Sequence, residues 1–431
     1  MAEKVKFTGT LQVPGDKSIS HRALMFSLLG AGDCQVDGLS PAQDCQSTIS
    51  CLRALGVGIE PSGSRSGSYL IHSPSLSQLS QPTSNLDAGN SGTTIRLLSG
   101  LLAGSNITCT LDGDESLRKR PMARVLDPLS QMGAKIAYLD KPGCPPFTIT
   151  GAALTGKSFE LPLASAQVQT AVLLAGLHAE GTTSVRLPSP VRDHTERMLR
   201  YIGVAFKQDG PLSTSVTRLQ KAVSGYHLTV AGDISSAAFF MVAAACTPGS
   251  DLRLTQVGMN SGRTLVIDVL KEMGADVSVE NRRELCGEPV ADLHVKGTRR
   301  LSGATVRGDR IAAGIDEIPV LALAGALCDG NFLVRDAHEL RVKESDRLSA
   351  IVQNFRRAGA DVEEYEDGFQ IHGKADLAGN SQWQTHGDHR LAMTGMLASL
   401  LCDGAVQIDD TDCAAVSYPA FGADLRLLAL T

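Results

Sequence analysis

Cations and carboxylates are concentrated in a few short blocks, of which the densest is Pro14-Gly15-Asp16-Lys17-Ser18-Ile19-Ser20-His21-Arg22. Pro and Gly make a turn, Asp16 or Ser18 is able to cap, and Lys17 and Arg22 arrive within about a turn of a helix start. This is anion chemistry. Lys supplies a mobile point charge and Arg a planar fork, so together they can hold a phosphate or a carboxylate. The block is not a Walker A loop, which needs G-x-x-x-x-G-K-[ST]; a solvated basic turn is its competing reading. A second block, Gly89-Asn90-Ser91-Gly92-Thr93-Thr94-Ile95-Arg96, puts small residues and hydroxyls at another helix start, where a ligand can approach backbone N–H groups. A plain cap explains it equally well. Beyond it stand Arg118, Lys119 and Arg120 before Pro121. A charge run is usually a solvated face, and that reading is kept for Arg118 and Lys119.

Further along, Ser165-Ala166-Gln167 offers a hydroxyl and an amide suited to a polyhydroxylated ligand, and Arg192-Asp193-His194-Thr195-Glu196-Arg197 follows a Pro-Ser-Pro turn. Asp316-Glu317-Ile318-Pro319 places carboxylates where a helix dipole keeps them ionised. Capping and catalysis are equally open for Asp316. In Glu339-Leu340-Arg341-Val342-Lys343-Glu344-Ser345-Asp346-Arg347, the spacing of Lys343 and Arg347 predicts one shared helix face, and Glu344 is a candidate proton donor poised by its cationic neighbours. His386-Gly387-Asp388-His389-Arg390 holds two histidines and an Asp, but the histidines straddle a Gly-Asp turn without a further evident ligand, so no metal is expected.

The elements that must carry these residues recur. Helix starts are predicted near Asp16, Asn90, Ser165, Asp233, Asp316 and Asp388, spaced 68 to 83 residues apart. About 40 residues beyond each of the first five, a Gly (56, 133, 203, 274 and 359) stands where a helix ends and a strand begins. Six units of helix, strand, helix and strands predict an α/β chain. The first helix of each unit is apolar all round, as in 171–176 and 237–243, and is therefore buried. What a buried helix can present to a ligand is its electropositive N-terminus, so several converging on one cleft would make a strong anion site.

The chain's 431 residues, 43% apolar and 20% charged, allow two domains of roughly 200 residues each. Aromatics are 4%, which argues against base stacking as a function. A net charge of −6 gives no general attraction to nucleic acid or anionic membranes, so an anion site has to be local. Ten Cys never form a C-x-x-C pair and read as reduced, buried small hydrophobes of a cytoplasmic protein. The first ten residues do not read as a signal peptide. The run Ile318 to Cys328 is about half of a transmembrane span and reads as a buried helix.

Taken in order, PGDKSISHRAL, GNSGTTIRLLSG, KRPM, SAQVQTAVLLAG, RDHTER, GDISSAAFF, DEIPVLALA, ELRVKESDRL and GDHRLAM resemble the 5-enolpyruvylshikimate-3-phosphate (EPSP) synthase family across almost the whole chain. The resemblance implies a two-domain enolpyruvyl transferase fold of six βαβαββ repeats with buried parallel helices, three per domain. Residues 1–14 and 232–431 would form one domain and 15–231 the other, with a hinge near 14 and 231 that closes over substrate. The implied reaction moves the enolpyruvyl group of phosphoenolpyruvate to the 5-hydroxyl of shikimate 3-phosphate and releases phosphate. No organic cofactor, metal, nucleic acid or membrane partner is implied, and the enzyme would act as a monomer.

Carried over position by position, Lys17, Ser18, Arg22, Ser165, Ala166, Gln167, Arg192, Asp316 and Lys343 resemble the shikimate 3-phosphate site. Lys17, Gly92, Arg120, Gln167, Arg347 and Arg390 resemble the phosphoenolpyruvate site. Asp316 would accept the hydroxyl proton, and Glu344 would exchange a proton with the methylene carbon, with Lys17 assisting. The chain departs from the family pattern at Val416, where some members carry Lys, and at Glu339, where some carry Asn. Gly92, where tolerant members carry Ala, leaves room against phosphoenolpyruvate and implies inhibition by glyphosate. The sister enzyme acting on UDP-N-acetylglucosamine resembles a chain with Asn after the first Lys and a Cys in the mobile loop; here Ser18 follows Lys17 and 114–121 has no Cys. A silent polyanion-binding protein is the remaining alternative, against which the acid and base candidates stand.

Overall fold

The computed structural model describes residues 5–63, 66–298, 300–374 and 376–430. The chain divides into two compact units. The first comprises Met1–Pro14, Gly232–Glu284 and Pro289–Thr431, and the second Gly15–Ala231 with Leu285–Glu288.

In the second unit three sheets share one plan. Strand Ala31–Asp37 pairs in parallel with His227–Thr229 and antiparallel with Tyr69–Pro74, which pairs antiparallel with Gly58–Pro61. Leu86–Asp87, Thr108–Asp112, Phe147–Thr150 and Lys135–Tyr138 repeat that order, as do Ser158–Glu160, Thr182–Arg186, Ser213–Thr217 and Lys207–Gln208. The first unit contains the same four-strand plan in Ser302–Val306, Asp329–Val334, Gly368–Gly373 and Asp361–Tyr365. Its largest sheet has five strands, with Lys6–Leu11 parallel to Asp251–Gly258 and antiparallel to Ala429–Leu430. A two-stranded parallel sheet joins Ser381–Trp383 to Val406–Ile408. Alternate residues of these strands are buried, as in Thr182–Arg186, where Thr183 and Val185 are buried between exposed or half-buried neighbours.

Three buried helices form the heart of each unit. Lys17–Met25, Gly92–Ala103 and Ala166–Gly176 pack in the second unit, and Ile234–Ala245, Ile318–Ala326 and His389–Leu401 in the first. Every residue of Ile234–Ala245 and of Ile318–Ala326 is buried, as their all-round apolar character requires. Small residues allow the close approach: a Cβ on Gly100 would stand 2.2 Å from the carbonyl oxygen of Ala171 on the neighbouring helix. Most ring-to-ring contacts lie in the first unit, where Phe239, Phe240, Tyr418 and Phe421 meet edge to face or tilted, and Phe355 packs on Trp383.

The helix ends show which residues terminate each element. Gly56, Gly133, Gly203, Gly274 and Gly359 have φ of +91°, +121°, +80°, +88° and +91°, the left-handed region in which a side chain is strained. Asp16, Ser165, Asp233 and Asp388 cap their helices with side-chain oxygens, as expected. Two starts differ. The cap of Gly92–Ala103 is Ser91, because the Asn90 side chain is engaged with Arg120 and Asp114. The cap position of Ile318–Ala326 is Glu317 and makes no side-chain cap bond, while Pro319 supplies the preset φ of the first turn. The expected helix carrying both Lys343 and Arg347 does not form: Asp346 accepts from Ser349 N and starts the helix Arg347–Arg357, so Lys343 lies before it, after a short 3₁₀ turn.

All ten cysteines are free, six of them buried. Among the described residues no helix is long and apolar enough to cross a membrane. No group of three or more His, Cys, Asp and Glu among them could hold a metal ion.

Candidate active site

In the second unit the starts of all three buried helices carry candidate residues, and buried polar contacts tie those starts together. Lys17 opens the first helix behind its Asp16 cap, and its Nζ donates to Asp44 Oδ2 at 2.7 Å. Arg22, one turn further, is 1% exposed; its guanidinium donates to Thr195 Oγ1 at 2.8 Å, Thr170 Oγ1 at 2.9 Å and the Ser18 carbonyl at 2.9 Å. Burial, then the charge of nearby Arg192, brings the Arg22 pKa down to about 10, so it remains a cation at neutral pH. His21, buried beside Lys17 and Arg22, is held well below the usual imidazole range, by burial first and then by those charges, and is neutral. Its Nδ1 meets Thr48 Oγ1 at 2.7 Å, Thr48 meets Thr94 Oγ1 at 2.7 Å, and Thr94 donates to Ser91 Oγ at 2.7 Å. This chain joins the Lys17 helix to the Gly92 helix.

At the second helix start, Gly92 faces two guanidinium groups. An added Cβ would lie 2.7 Å from Arg96 Nη1 and 3.4 Å from Arg120 Nη1. Arg120 is 8% exposed and donates to Asn90 Oδ1 at 2.7 Å. Arg118 instead is half-exposed on Asp112, as a solvated charge run predicts. Gln167 links the second and third helices, its Nε2 donating to Thr93 Oγ1 at 2.9 Å and its Oε1 accepting from Arg96 Nη1 at 2.8 Å. Ser165 caps the third helix, and Ala166 is its first residue. The second unit therefore brings Gly92, Arg120 and Gln167 together, and places Lys17, Ser18, Arg22 and Arg192 around the first helix start.

The first unit gathers the acid–base candidates. Asp316 does not cap; cations hold its carboxylate. Oδ1 lies 3.4 Å from Lys343 Nζ and 3.5 Å from Arg347 Nη1, Oδ2 lies 3.3 Å from Arg263 Nη1, and the Asp316 carbonyl accepts from Arg390 Nη1 at 2.9 Å. Burial opposes its ionisation, but the charges of Lys343, Arg390, Arg263 and Arg347 outweigh burial and hold the carboxyl well below the usual range. Arg347 is fully buried: Nε donates to Asp388 Oδ2 at 2.8 Å, Nη2 to Asp388 Oδ1 at 3.2 Å, and Nη2 also to Glu344 Oε2 at 2.5 Å. Asp388 also caps the helix that carries Arg390. Asp316, Lys343, Glu344, Arg347 and Arg390 thus form one cluster, although Lys343 reaches it from a loop.

Three members of these clusters were not singled out from sequence: Asp44, Arg96 in its contacts with Gln167, and Arg263. Asp44 carries the only available signal, an acidic residue in the first turn of Gln43–Ala54.

The arrangement of buried helices and repeated sheets is the two-domain α/β fold of the enolpyruvyl transferases. An enolpyruvyl transferase structure from Streptomyces tendae matches with a TM-score of 0.79 over 98% of this chain and 95% of that one, at 17% identity, which speaks for the fold alone. The profile of the EPSP synthase (3-phosphoshikimate 1-carboxyvinyltransferase) family matches residues 1–425. A 3-phosphoshikimate 1-carboxyvinyltransferase from Gloeobacter violaceus is 49% identical over 417 residues, 96% of this chain and 95% of the relative. The structure of EPSP synthase from Acinetobacter baumannii matches with a TM-score of 0.87 at 43% identity, covering 100% of this chain and 97% of that one. The chain belongs to the EPSP synthase family. It is a transferase of the shikimate pathway, and its family acts on the small molecules phosphoenolpyruvate and shikimate 3-phosphate.

Proposed function

We propose that the protein joins the enolpyruvyl group of phosphoenolpyruvate to the 5-hydroxyl of shikimate 3-phosphate by addition and elimination. Lys17, Ser18, Arg22, Ser165, Ala166, Gln167, Arg192 and Lys343 take shikimate 3-phosphate. Gly92, Arg120, Gln167, Arg347 and Arg390, with Lys17, take phosphoenolpyruvate. Asp316 accepts the 5-hydroxyl proton as that oxygen bonds to C2 of phosphoenolpyruvate, and Glu344 delivers a proton to C3, which becomes a methyl group. Loss of a proton from that methyl to Glu344 and breakage of the C2–O bond then release phosphate, with Lys17 stabilising the leaving charge. An anion arriving on Arg347 competes with Glu344 for its cation, which frees that carboxyl to carry a proton.

The observation that carries this reading is the Asp316 carboxylate held among Lys343, Arg347, Arg263 and Arg390 instead of capping its helix. The family match favours shikimate 3-phosphate over UDP-N-acetylglucosamine as acceptor. The ten free cysteines support action in the reducing cytoplasm, and the resemblance supports a monomer. Phosphate release that needs both substrates together is the expected outcome of a direct assay; release from phosphoenolpyruvate alone, or none with both present, would overturn the reading.

Two outcomes separate the anion sites. Arg120→Ala should weaken phosphoenolpyruvate by about 2 kcal/mol or more, roughly 30-fold, and shikimate 3-phosphate much less, because a buried charge contact is lost; titration calorimetry with each ligand measures this. Gly92→Ala pushes a methyl toward Arg96 and Arg120 and should relieve inhibition by glyphosate roughly tenfold. Unchanged inhibition in a rate assay would contradict the placement of Gly92.

A further inference from the structure

The two oxygens of Asp316 are held by cations of different kinds. Lys343 and Arg347, on Oδ1, and Arg390, on the carbonyl, are the groups assigned above to incoming anions. Arg263, on Oδ2, has no such assignment, and its charge is already matched. Its Nη2 donates to Ser235 Oγ and lies 3.6 Å from Glu317 Oε1 and 4.0 Å from Asp233 Oδ1. Ser235 in turn donates to Glu317 Oε1, and Glu317 is fully buried. The Arg263 side chain is 7% exposed, so buried acceptors fix the guanidinium. Arg347 is likewise paired, with Asp388 and Glu344, and Arg390 Nη1 lies 3.7 Å from Glu317 Oε1, so what sets Arg263 apart is that it holds the carboxylate without being assigned to an incoming anion.

We infer that Arg263 is a positioning residue, which keeps hold of Asp316 Oδ2 through the reaction and leaves Oδ1 to take the hydroxyl proton once substrate occupies the other cations. This rests on the base role of Asp316 proposed above. The charged groups facing Asp316 are Lys343, Arg347, Arg390 and Arg263, with Glu344 and Asp388 sharing Arg347, Asp233 sharing Arg263, and Glu317 shared between Arg263 and Arg390. Once substrate anions neutralise the first three, Arg263 is the charge that keeps this largely enclosed carboxyl, 18% exposed, ionised. Removing a cation raises the pKa of a neighbouring carboxyl, so the acid limb of turnover moves to higher pH.

The test compares the pH profiles of Arg263→Gln, Arg263→Lys and the double variant Arg263→Gln with Glu317→Gln, which does not leave the Glu317 carboxylate buried beside a missing partner. Asp316→Asn is measured alongside. The expected result is an acid limb about one pH unit higher and turnover roughly tenfold lower in both Gln variants, with KM values within about threefold of wild type and partial rescue by Lys. An acid limb in its wild-type place, whether turnover is retained or lost in the folded double variant, would overturn the inference and leave the role of Asp316 standing. Wild-type turnover in Asp316→Asn would remove the base itself, and this inference with it.

Discussion

Asp316→Ala should lower turnover by on the order of 10² or more while altering the KM of either substrate only modestly. The carboxylate stands among cations and is ionised, so it is present as a base before substrate arrives. It is also anchored on both oxygens, which fixes where a hydroxyl proton can be accepted. Deleting it removes one contact in the shikimate 3-phosphate site but none of the cations; Lys343, Arg347 and Arg390 remain, and their positive charge is no longer offset. The loss therefore falls mainly on the chemical step and only modestly on binding. Steady-state kinetics with both substrates checks this, and full activity in the variant would exclude Asp316 from the mechanism.

Arg347→Ala should destabilise the protein by about 3–5 kcal/mol in the absence of any ligand, because it leaves a buried carboxylate without its counter-charge. Asp388 is fully buried and takes two hydrogen bonds from Arg347, and Glu344 takes a third. Burial works against the Arg347 charge, but Asp388 and Glu344 outweigh it and raise its pKa, so Arg347 is a cation throughout the accessible pH range. Calorimetry should show the melting temperature falling by roughly 10 °C. A melting temperature within 2 °C of wild type would show that the Asp388 charge is met by other groups. The same substitution should also impair phosphoenolpyruvate binding, so stability and affinity are best measured separately.

The sequence made the frame of the active site legible wherever the signal was local. Asp16, Ser165, Asp233 and Asp388 cap helices because a short polar side chain beside an apolar run has a nearby N–H to satisfy. Glycines such as Gly133 and Gly274 close helices because only glycine adopts their backbone conformation without strain. Where a polar side chain has a stronger distant partner, the local rule fails. Asn90 binds Arg120, so Ser91 caps; the Asp316 carboxylate binds cations 27 to 53 residues distant in sequence, so it does not cap. The Lys343–Arg347 spacing fits a helix, but Asp346 ends the preceding loop with its own cap and leaves Lys343 outside.

Arg263 was invisible for the same reason in reverse. It lies after an Asn-Ser-Gly turn, just before the helix Leu265–Glu272 whose apolar period it does not join, and its partners Asp316 and Ser235 are 53 and 28 residues away. Asp44 and Arg96 likewise depend on partners 27 and 71 residues away. Roles for individual residues came from the family resemblance, since spacing alone left Asp316 open between cap and base.

The most direct test of the central claim, that side-chain carboxyls add and then remove a proton at the methylene carbon, is to run the reaction in D₂O and follow that carbon by mass spectrometry and NMR. Addition makes a methyl group containing a solvent deuteron, and elimination removes one of its three hydrogens, so deuterium should appear in the vinyl group of the product. Glu344→Gln should lose turnover and deuterium incorporation together. Product formed at the full rate with no deuterium on that carbon would contradict the account.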